Sequence, residues 1–265
     1  MKLPHYDTLQ LTAGDPHLLT VTLNRPHVLN AINTQVGLEL LDLWTRLASE
    51  GGAIRAVVLT GAGDRAFCAG GDLKERNGMT DAAWRQQHEI FERAFFALLD
   101  VPMPVIAAVN GHAYGGGLET ALACDFVYAS RNARFALSEV RLGIMPGGGG
   151  TQTLARAVGE RRAKELILRA QAFDAAQGLA WGLINHLSEP GAVLADALEA
   201  AAAIAANGPL AVRQAKKSIH FGLQGDLRTG CRFEIEAYNR LVSSEDRHEG
   251  VRAFNEKRTP QFKGS

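Results

Sequence analysis

Cysteines are few in this sequence and widely spaced. Cys68, Cys124 and Cys231 are the three among 265 residues, and none lies in a CxxC or Cys/His arrangement. Three scattered cysteines are too few for a disulfide framework, and their spacing gives no zinc site. The pattern indicates a reducing compartment and predicts that the protein holds no metal.

Net charge and long apolar runs are also lacking. The sequence has 28 Lys and Arg residues and 28 Asp and Glu residues, so its net charge is zero. A dedicated nucleic-acid binder usually carries an excess of basic residues. No apolar run reaches the roughly 18 residues that a membrane-spanning helix needs. The first residues, MKLPHYDTLQ, match neither a signal segment nor a transit peptide. We therefore expect a cytoplasmic protein that binds neither nucleic acid nor a membrane.

What the sequence does contain is a large apolar fraction, 46%, in alternating strand and helix patterns. The patterns predict strands at residues 6–11, 18–23, 54–60, 105–109, 126–129 and 183–187, with a turn at 13–16. They predict helices at residues 34–47 (Asn33 as N-cap), 84–99, 116 or 117 to 123, 210–221 and 226–242. This alternation indicates an α/β core with parallel strand pairing.

The last third of the chain is mostly helical in pattern. Asn207-Gly208-Pro209 is the best candidate for a boundary, because such a run interrupts helices. We expect residues 1–207 to form the core with the site and residues 208–265 to form a C-terminal helical region.

Three segments place glycine where a buried strand ends: FCAGGDL (67–73), NGHAYGGGLE (110–119) and SEVRLGIMPGGGG (138–150). Glycine lets a backbone N–H approach a ligand closely, and ligands lie at the carboxyl ends of strands in open α/β sheets. Each segment alone could be a tight turn, and residues 115–117 match neither GxGxxG nor GxxxxGK[ST]. Three in order, two with a Glu beside the loop, favour a ligand site.

These segments resemble those of the crotonase superfamily, the enoyl-CoA hydratase/isomerase family. The resemblance begins at NRP (24–26) and LNA (29–31), passes through the three segments and reaches FNEKR (254–258). It implies a crotonase-like ββα superhelix core. It also implies that the C-terminal helices are a trimerisation region, which packs on the core and on neighbouring subunits of a homo-trimer or of a hexamer made of two trimers.

The resemblance implies that the backbone N–H groups of Gly71 and Gly116 form an oxyanion hole and that Glu119 and Glu139 are catalytic. Two preorganised donors stabilise the enolate that forms when a nucleophile attacks the β-carbon of a conjugated thioester. Two carboxylates can hold one water, one accepting its proton and the other protonating the α-carbon. By resemblance, Glu139 serves the α-carbon and Glu119 activates the water. Taken singly, each could be a surface glutamate.

Coenzyme A is implied as part of the substrate, with no separate cofactor. The resemblance places its contacts and those of the acyl group at Arg25, Val28, Ala69, Gly71, Asp72, Leu73, Gly116 and Lys257. Asp72 is more simply explained as a helix cap, and Lys257 could equally be a solvated lysine. We interpret His112 and Cys68 as packing residues, since no GxSxG motif supports a Ser–His hydrolase.

The presence of both glutamates favours an enoyl-CoA hydratase, which reversibly adds water across the 2,3 double bond of an enoyl-CoA. Within the family, the sequence looks especially like the methylglutaconyl-CoA hydratase branch at residues 67–76, 146–152, 245–247 and 256–258. One departure is Gly71, which replaces an alanine common in the family. An enoyl-CoA isomerase, an acyl-CoA decarboxylase and a non-catalytic acyl-CoA- or RNA-binding relative are the alternatives. Balanced charges at residues 84–94 argue against RNA binding.

Overall fold

The computed structural model describes residues 3–14 and 17–265 and has an α/β fold. Its strands are β1 (Leu9–Gly14), β2 (Leu18–Leu23), β3 (Ala56–Gly61), β4 (Ala66–Cys68), β5 (Val105–Val109), β6 (His112–Tyr114), β7 (Phe126–Ser130), β8 (Arg134–Ala136), β9 (Phe173–Asp174) and β10 (His186–Ser188). Its helices are α1 (Thr34–Glu50), α2 (Leu73–Arg76), α3 (Asp81–Leu99), α4 (Gly116–Ala123), α5 (Gly150–Val158), α6 (Glu160–Leu168), α7 (Ala175–Ala180), α8 (Val193–Ala205), α9 (Pro209–Gly222), α10 (Leu227–Val242) and α11 (Glu245–Glu256).

The chain winds between two sheets. The larger sheet has the order β1-β2-β3-β5-β7-β10 and the smaller has the order β4-β6-β8-β9. In each of the pairs β3/β4, β5/β6 and β7/β8, the first strand enters the larger sheet and the second enters the smaller one. Strands of successive pairs run parallel, as β3 and β5 do, and a helical segment follows each pair. This arrangement confirms the predicted ββα superhelix.

Several predicted boundaries shift, among them the end of the first strand, which lies at residue 14 instead of 11. The predicted first strand begins at residue 9 instead of 6, because the N–H groups of Asp7 and Thr8 donate to the buried carboxylate of Glu39 in α1. The helix predicted at 34–47 reaches residue 50, and the one predicted at 84–99 begins at residue 81, after its N-cap Thr80. The predicted strand 54–60 begins at residue 56. Of the predicted turn at 13–16, residues 13 and 14 belong to β1 and pair with β2 instead, and residues 15 and 16 lie outside the described residues.

The strand predicted near residues 183–187 exists but begins and ends later in the chain, at residues 186–188. Both Leu183 and Ile184 donate their backbone N–H to the carbonyl of Gly178, which closes the turn after α7. The strand β10 therefore begins at His186 and pairs in parallel with β7. The apolar residues that suggested a strand are buried in the core instead.

The strands of the smaller sheet are two or three residues long, and the sequence patterns missed all four of them. They place the first two glycine segments side by side, because β4 pairs in parallel with β6. The short strand β6 also pairs with β8, which leads into the third segment. The smaller sheet thus brings the three segments together at the carboxyl ends of β4, β6 and β8.

The alanine-rich helix α8 covers one face of the larger sheet. Val193, Ala197, Ala201 and Ala205 recur every fourth residue and form a buried cluster with apolar side chains of that sheet, including Ile106. Small side chains on this stripe let the helix approach the sheet closely. A second, larger cluster lies on the other side and includes Trp44, Phe67 and Phe135.

Polar contacts hold the C-terminal part of the chain against the core. Arg55 donates to the carbonyl of Phe262 at 2.6 Å, and Lys216 pairs with Asp125 at 2.7 Å. Helices α9 and α10 pack on each other. The division of the chain at residue 207 stays a prediction.

No helix in the described part of the chain is by itself long and apolar enough to cross a membrane. Helices α8 and α9 meet the length and composition requirement only when joined, and the pair is bent by 108°. Within residues 3–14 and 17–265, no group of three or more His, Cys, Asp and Glu side chains is arranged to hold a metal ion.

Candidate active site

A cavity of about 700 Å³ lies where the three glycine segments meet helix α3. One wall is apolar and includes Trp44, Trp84, Phe91 and Leu98. All four residues predicted to be catalytic line the cavity, namely Gly71, Gly116, Glu119 and Glu139, together with Ala69 and Leu73. The volume suits an organic ligand of moderate size.

The first two glycine segments touch backbone to backbone. A Cβ on Gly70, whose φ is +93°, would lie 2.7 Å from the carbonyl oxygen of Tyr114 and 3.3 Å from the nitrogen of Gly116. A Cβ on Gly117 would lie 2.1 Å from the carbonyl oxygen of Cys68. Only glycine fits at both positions, so the start of α4 rests directly on the end of β4.

The backbone N–H groups of Gly71 and Gly116 are close to each other and unused. A Cβ built on Gly116 would lie 3.8 Å from the nitrogen of Gly71. Ile32 donates to the carbonyl of Gly70 and accepts from the N–H of Asp72, which fixes the Gly71 peptide. Gly116 opens α4, where a helix leaves its N–H groups without partners. Neither N–H donates to another described residue, so both are available to a ligand.

Glu119 lies in the first turn of α4 and is 6% exposed. Its Oε1 accepts hydrogen bonds from the N–H groups of Gly148 and Gly150, at 2.8 and 2.9 Å. Burial raises the pKa of Glu119, and these two hydrogen bonds oppose the rise because they favour the charged form. The third glycine segment therefore folds around this carboxylate and fixes its orientation.

Glu139 begins a short 3₁₀ segment, Glu139–Leu142, after β8. Both of its carboxylate oxygens are buried, and neither accepts a hydrogen bond from another residue among those described. Burial raises the pKa of Glu139 to about 7, and the nearby negative charge of Glu119 adds to the rise. At neutral pH this carboxyl group therefore exchanges a proton readily.

Arg25 and Asp72 lie outside the cavity wall and bind each other. Their ion pair measures 3.0 Å, and Arg25 also donates to the carbonyl of Ala31. The other oxygen of Asp72 accepts from the N–H groups of Lys74 and Glu75, so Asp72 is the N-cap of α2. The capping interpretation is thus confirmed, and both side chains hold the first glycine segment in place.

Two further predicted contact residues are also away from the cavity wall. Val28 ends the 3₁₀ segment Pro26–Val28, and Lys257 ends α11 in the left-handed conformation with its side chain exposed. Their contacts with coenzyme A stay predictions. His112 stacks on Tyr114 with ring centroids 5.6 Å apart, and Cys68 is fully buried, as their packing roles predicted.

The sequence patterns missed the part of the cavity formed by α2 and α3. Arg76, Trp84 and His88 line it, and Gln87 supports it from a buried position. Arg76 lies on α2 and the other three lie on α3, so no local spacing connects Arg76 with them. The available signal was polar residues on the buried face of an otherwise amphipathic helix, with Gln87 as the clearest case.

Comparison with known proteins agrees with this fold and cavity. The chain belongs to the enoyl-CoA hydratase/isomerase family, whose model matches residues 15–265. It is 43% identical over 238 residues to the short-chain-enoyl-CoA hydratase of Clostridium acetobutylicum, covering 90% of this chain and 91% of that protein. It is 37% identical over 245 residues to the crotonyl-CoA hydratase of Syntrophomonas wolfei, covering 92% and 94%.

A solved structure is equally similar. The enoyl-CoA hydratase from Bacillus anthracis superposes with a TM-score of 0.96 at 42% identity, covering 98% of this chain and all of that one. The resemblance seen in the sequence motifs is thereby confirmed for the family and the fold.

Proposed function

We propose that this chain is an enoyl-CoA hydratase that reversibly adds water across the 2,3 double bond of an enoyl-CoA thioester. One observation carries the proposal: two buried carboxylates and two unused backbone N–H groups line one cavity. The names of the relatives from Clostridium acetobutylicum and Syntrophomonas wolfei support it, since both are hydratases of short enoyl-CoA thioesters.

The thioester oxygen accepts hydrogen bonds from the N–H groups of Gly71 and Gly116. When water attacks C3, the electrons of the double bond move toward this oxygen and form an enolate. Each donor contributes about 3–4 kcal/mol to stabilising such an oxyanion. The N-terminal end of α4, which begins at Gly116, adds a favourable positive potential.

The two glutamates divide the proton transfers. The N–H groups of Gly148 and Gly150 stabilise the charged form of Glu119 and so oppose the rise in its pKa that burial causes. In its charged form Glu119 accepts a proton from the water as the oxygen bonds to C3. Glu139, with its pKa raised to about 7, carries a proton and delivers it to C2 as the enolate collapses. In the reverse direction the same two groups exchange roles.

Coenzyme A enters as part of the substrate, and the reaction needs no separate cofactor. We assign its contacts to the residues that the family resemblance implies: Arg25, Val28, Ala69, Gly71, Asp72, Leu73, Gly116 and Lys257. Five of them lie on the two glycine loops, namely Ala69, Gly71, Asp72, Leu73 and Gly116. Arg25 and Val28 lie on the segment that follows β2, and Lys257 lies at the end of α11.

Turnover of crotonyl-CoA in ¹⁸O-labelled water tests the reaction. We expect 3-hydroxybutyryl-CoA with the label on C3, detected by mass spectrometry. An unlabelled product with a shifted double bond indicates an isomerase, and loss of carbon dioxide from a carboxylated acyl-CoA indicates a decarboxylase. Binding of crotonyl-CoA without any product indicates a non-catalytic relative.

We further propose that the chain assembles as a homo-trimer, or as a hexamer of two trimers. Helices α9–α11 expose large apolar side chains, among them Ile219, Leu223, Leu227, Tyr238 and Phe254. Apolar surface of this extent is typical of an interface. Light scattering at micromolar concentration should give three or six times the 28.5 kDa chain mass, and a monodisperse monomer contradicts the proposal.

A further inference from the structure

Residues 147–150 form a glycine layer between Glu119 and helix α3. A Cβ built on Gly148 would lie 2.9 Å from Oε2 of Glu119, and one built on Gly150 would lie 2.8 Å from its Oε1. Cβ atoms built on the other two glycines of the layer would instead meet ring side chains of α3. The backbone therefore alternates: two of the glycines face the carboxylate and two face the helix.

Two ring side chains of α3 support the glycine layer, His88 and Phe95. They are seven residues apart, which is about two helical turns, so they lie on one face of α3. A Cβ built on Gly147 would lie 2.6 Å from Cε1 of His88, and the three atoms nearest to it all belong to that ring. A Cβ built on Gly149 would lie 2.2 Å from Cζ of Phe95. Because glycine has no Cβ, both rings pack directly on the backbone.

His88 packs one peptide away from the hydrogen bond that orients Glu119. The peptide that joins Gly147 to Gly148 carries the N–H that donates to Oε1 of Glu119 at 2.8 Å. A ring that packs on Gly147 limits how far this N–H can move away from the carboxylate. Among the described residues, the hydrogen-bond donors to Glu119 bind Oε1 and leave Oε2 available for water.

The charge of His88 also acts on Glu119. Burial raises the pKa of Glu119, whereas the two backbone hydrogen bonds and the charge of His88 lower it. The pKa of Glu139 responds instead to burial and to the charge of Glu119. His88 is half-buried at the cavity and thus lies near the carboxylate that is proposed to accept a proton from water.

We propose that His88 is a positioning residue for Glu119, which packs on Gly147 from α3 and thereby keeps the N–H of Gly148 on the carboxylate. This inference rests on the proposed function for the site. His88 itself touches neither the thioester nor the double bond in this proposal, and it acts through the glycine layer.

Two reactions of the same protein test the inference. Hydration of crotonyl-CoA needs Glu119, whereas exchange of the C2 protons of butyryl-CoA in deuterium oxide needs Glu139 and the N–H donors. We expect His88→Ala to lower kcat for hydration about tenfold, the scale of a small misplacement of a catalytic group. KM and the rate of C2 exchange should stay nearly unchanged. Equal losses of hydration and exchange indicate general damage to the cavity and overturn the inference.

A compensating pair of substitutions tests the contact itself. The φ of Gly147 lies outside the left-handed region, so Gly147→Ala is strained mainly by the ring of His88. We expect Gly147→Ala to lower kcat for hydration. Adding His88→Ala makes room for the new Cβ, and kcat should then rise about fivefold above that of Gly147→Ala. A double variant that is slower than both single variants overturns the inference.

Gln86→Ala is the matched control, because Gln86 is exposed on the same helix and lies outside the cavity wall. We expect this variant to keep both rates. Full hydration activity in His88→Ala refutes the role of His88 and keeps the hydratase.

Crystal structures separate the inference from the proposed function, because they need no turnover. In His88→Ala the distance from the nitrogen of Gly148 to Oε1 of Glu119, 2.8 Å in the unmodified protein, should exceed about 3.2 Å, the upper limit of such bonds. An unchanged distance overturns the inference. A lengthened distance, in a protein that does not hydrate crotonyl-CoA, keeps the role of His88 and refutes the hydratase.

Discussion

The surroundings of Glu119 and Glu139 differ, although both carboxylates are buried at one cavity. Glu119 accepts two backbone hydrogen bonds from the glycine segment that wraps it. Glu139 accepts none from the other described residues and has its pKa raised to about 7. Under the proposed mechanism, the same side chain serves as a base in one place and as an acid in the other, and the two sites differ in their local hydrogen-bond donors.

Replacing either glutamate by glutamine should cause the largest loss of activity. We expect Glu119→Gln and Glu139→Gln each to lower kcat for crotonyl-CoA about 10²-fold or more, because glutamine cannot carry the proton. The double variant should be little worse than the poorer single one, since the two groups act as a unit. Substrate affinity should change less. Near-normal rates in both single variants refute the mechanism.

A second measurement separates the two roles. If Glu139 serves C2, Glu119→Gln should retain some exchange of the C2 proton with solvent deuterium, whereas Glu139→Gln should not. Nuclear magnetic resonance of a saturated acyl-CoA in deuterium oxide detects this exchange. Equal exchange in both variants contradicts the assignment.

The pH dependence of kcat/KM should report the proton shared by the pair. Hydration begins with Glu119 charged and Glu139 protonated and ends with the reverse, so the active pair holds one proton in both directions. We expect kcat/KM to fall about tenfold per pH unit above pH 7, where Glu139 loses its proton. Because the overall reaction releases no proton, the profile should be the same for dehydration. A flat profile from pH 6 to 9 contradicts the assignment of Glu139.

The free energy of unfolding should also depend on pH through Glu139. The pKa of Glu139 is raised in the folded state, so its protonation stabilises the fold below its ordinary pKa of 4.5, and that contribution is lost as pH rises through about 7. A shift of this size corresponds to about 3 kcal/mol, and solvent screening of this partly exposed residue reduces the effect. Relative to the unmodified protein, Glu139→Gln should therefore gain about 2 kcal/mol between pH 4.5 and 8. Urea titrations at several pH values measure this, and a pH-independent difference contradicts the shift.

A substitution in the glycine segment around Glu119 should cause a smaller loss of activity. A Cβ on Gly148 would lie 2.9 Å from Oε2 of Glu119, so Gly148→Ala should displace the carboxylate by a few tenths of an ångström. We expect kcat to fall about tenfold, as small misplacements of catalytic groups cause losses of this order. Gly52→Ala is the matched control, because a Cβ there meets nothing within 4 Å. Equal kcat in both variants contradicts the positioning role of Gly148.

Much of the larger sheet could be predicted from the sequence because five of its six strands are five or six residues long and carry apolar side chains. Val105–Val109 matches its prediction at both ends. The short strands Ala66–Cys68 and His112–Tyr114 were missed, since three residues carry no periodicity and lie among glycines. Non-local contacts decide the rest: the buried Glu39 holds Asp7 and Thr8 away from the first strand.

The site was predictable where it is contiguous in sequence. The two glycine loops and two glutamates lie within or beside motifs, so spacing and resemblance suffice to find them. The network of Arg76, Gln87 and Glu75 was not predictable in this way, because it forms only when α2 packs against α3. The contact of Lys257 with coenzyme A stays a prediction, since its side chain is exposed and lies away from the cavity wall.

Because the two glycine loops contact each other through their backbones, the positions of the two N–H groups do not depend on the side chains of the cavity wall. Gly70 and Gly117 hold the N–H donors through main-chain atoms of the neighbouring loop, without help from the wall residues of α3. Protein engineers can therefore replace wall side chains such as Trp84 or Phe91 to admit other acyl groups while the donors stay in place. Libraries restricted to that helix should yield altered selectivity more often than inactive protein.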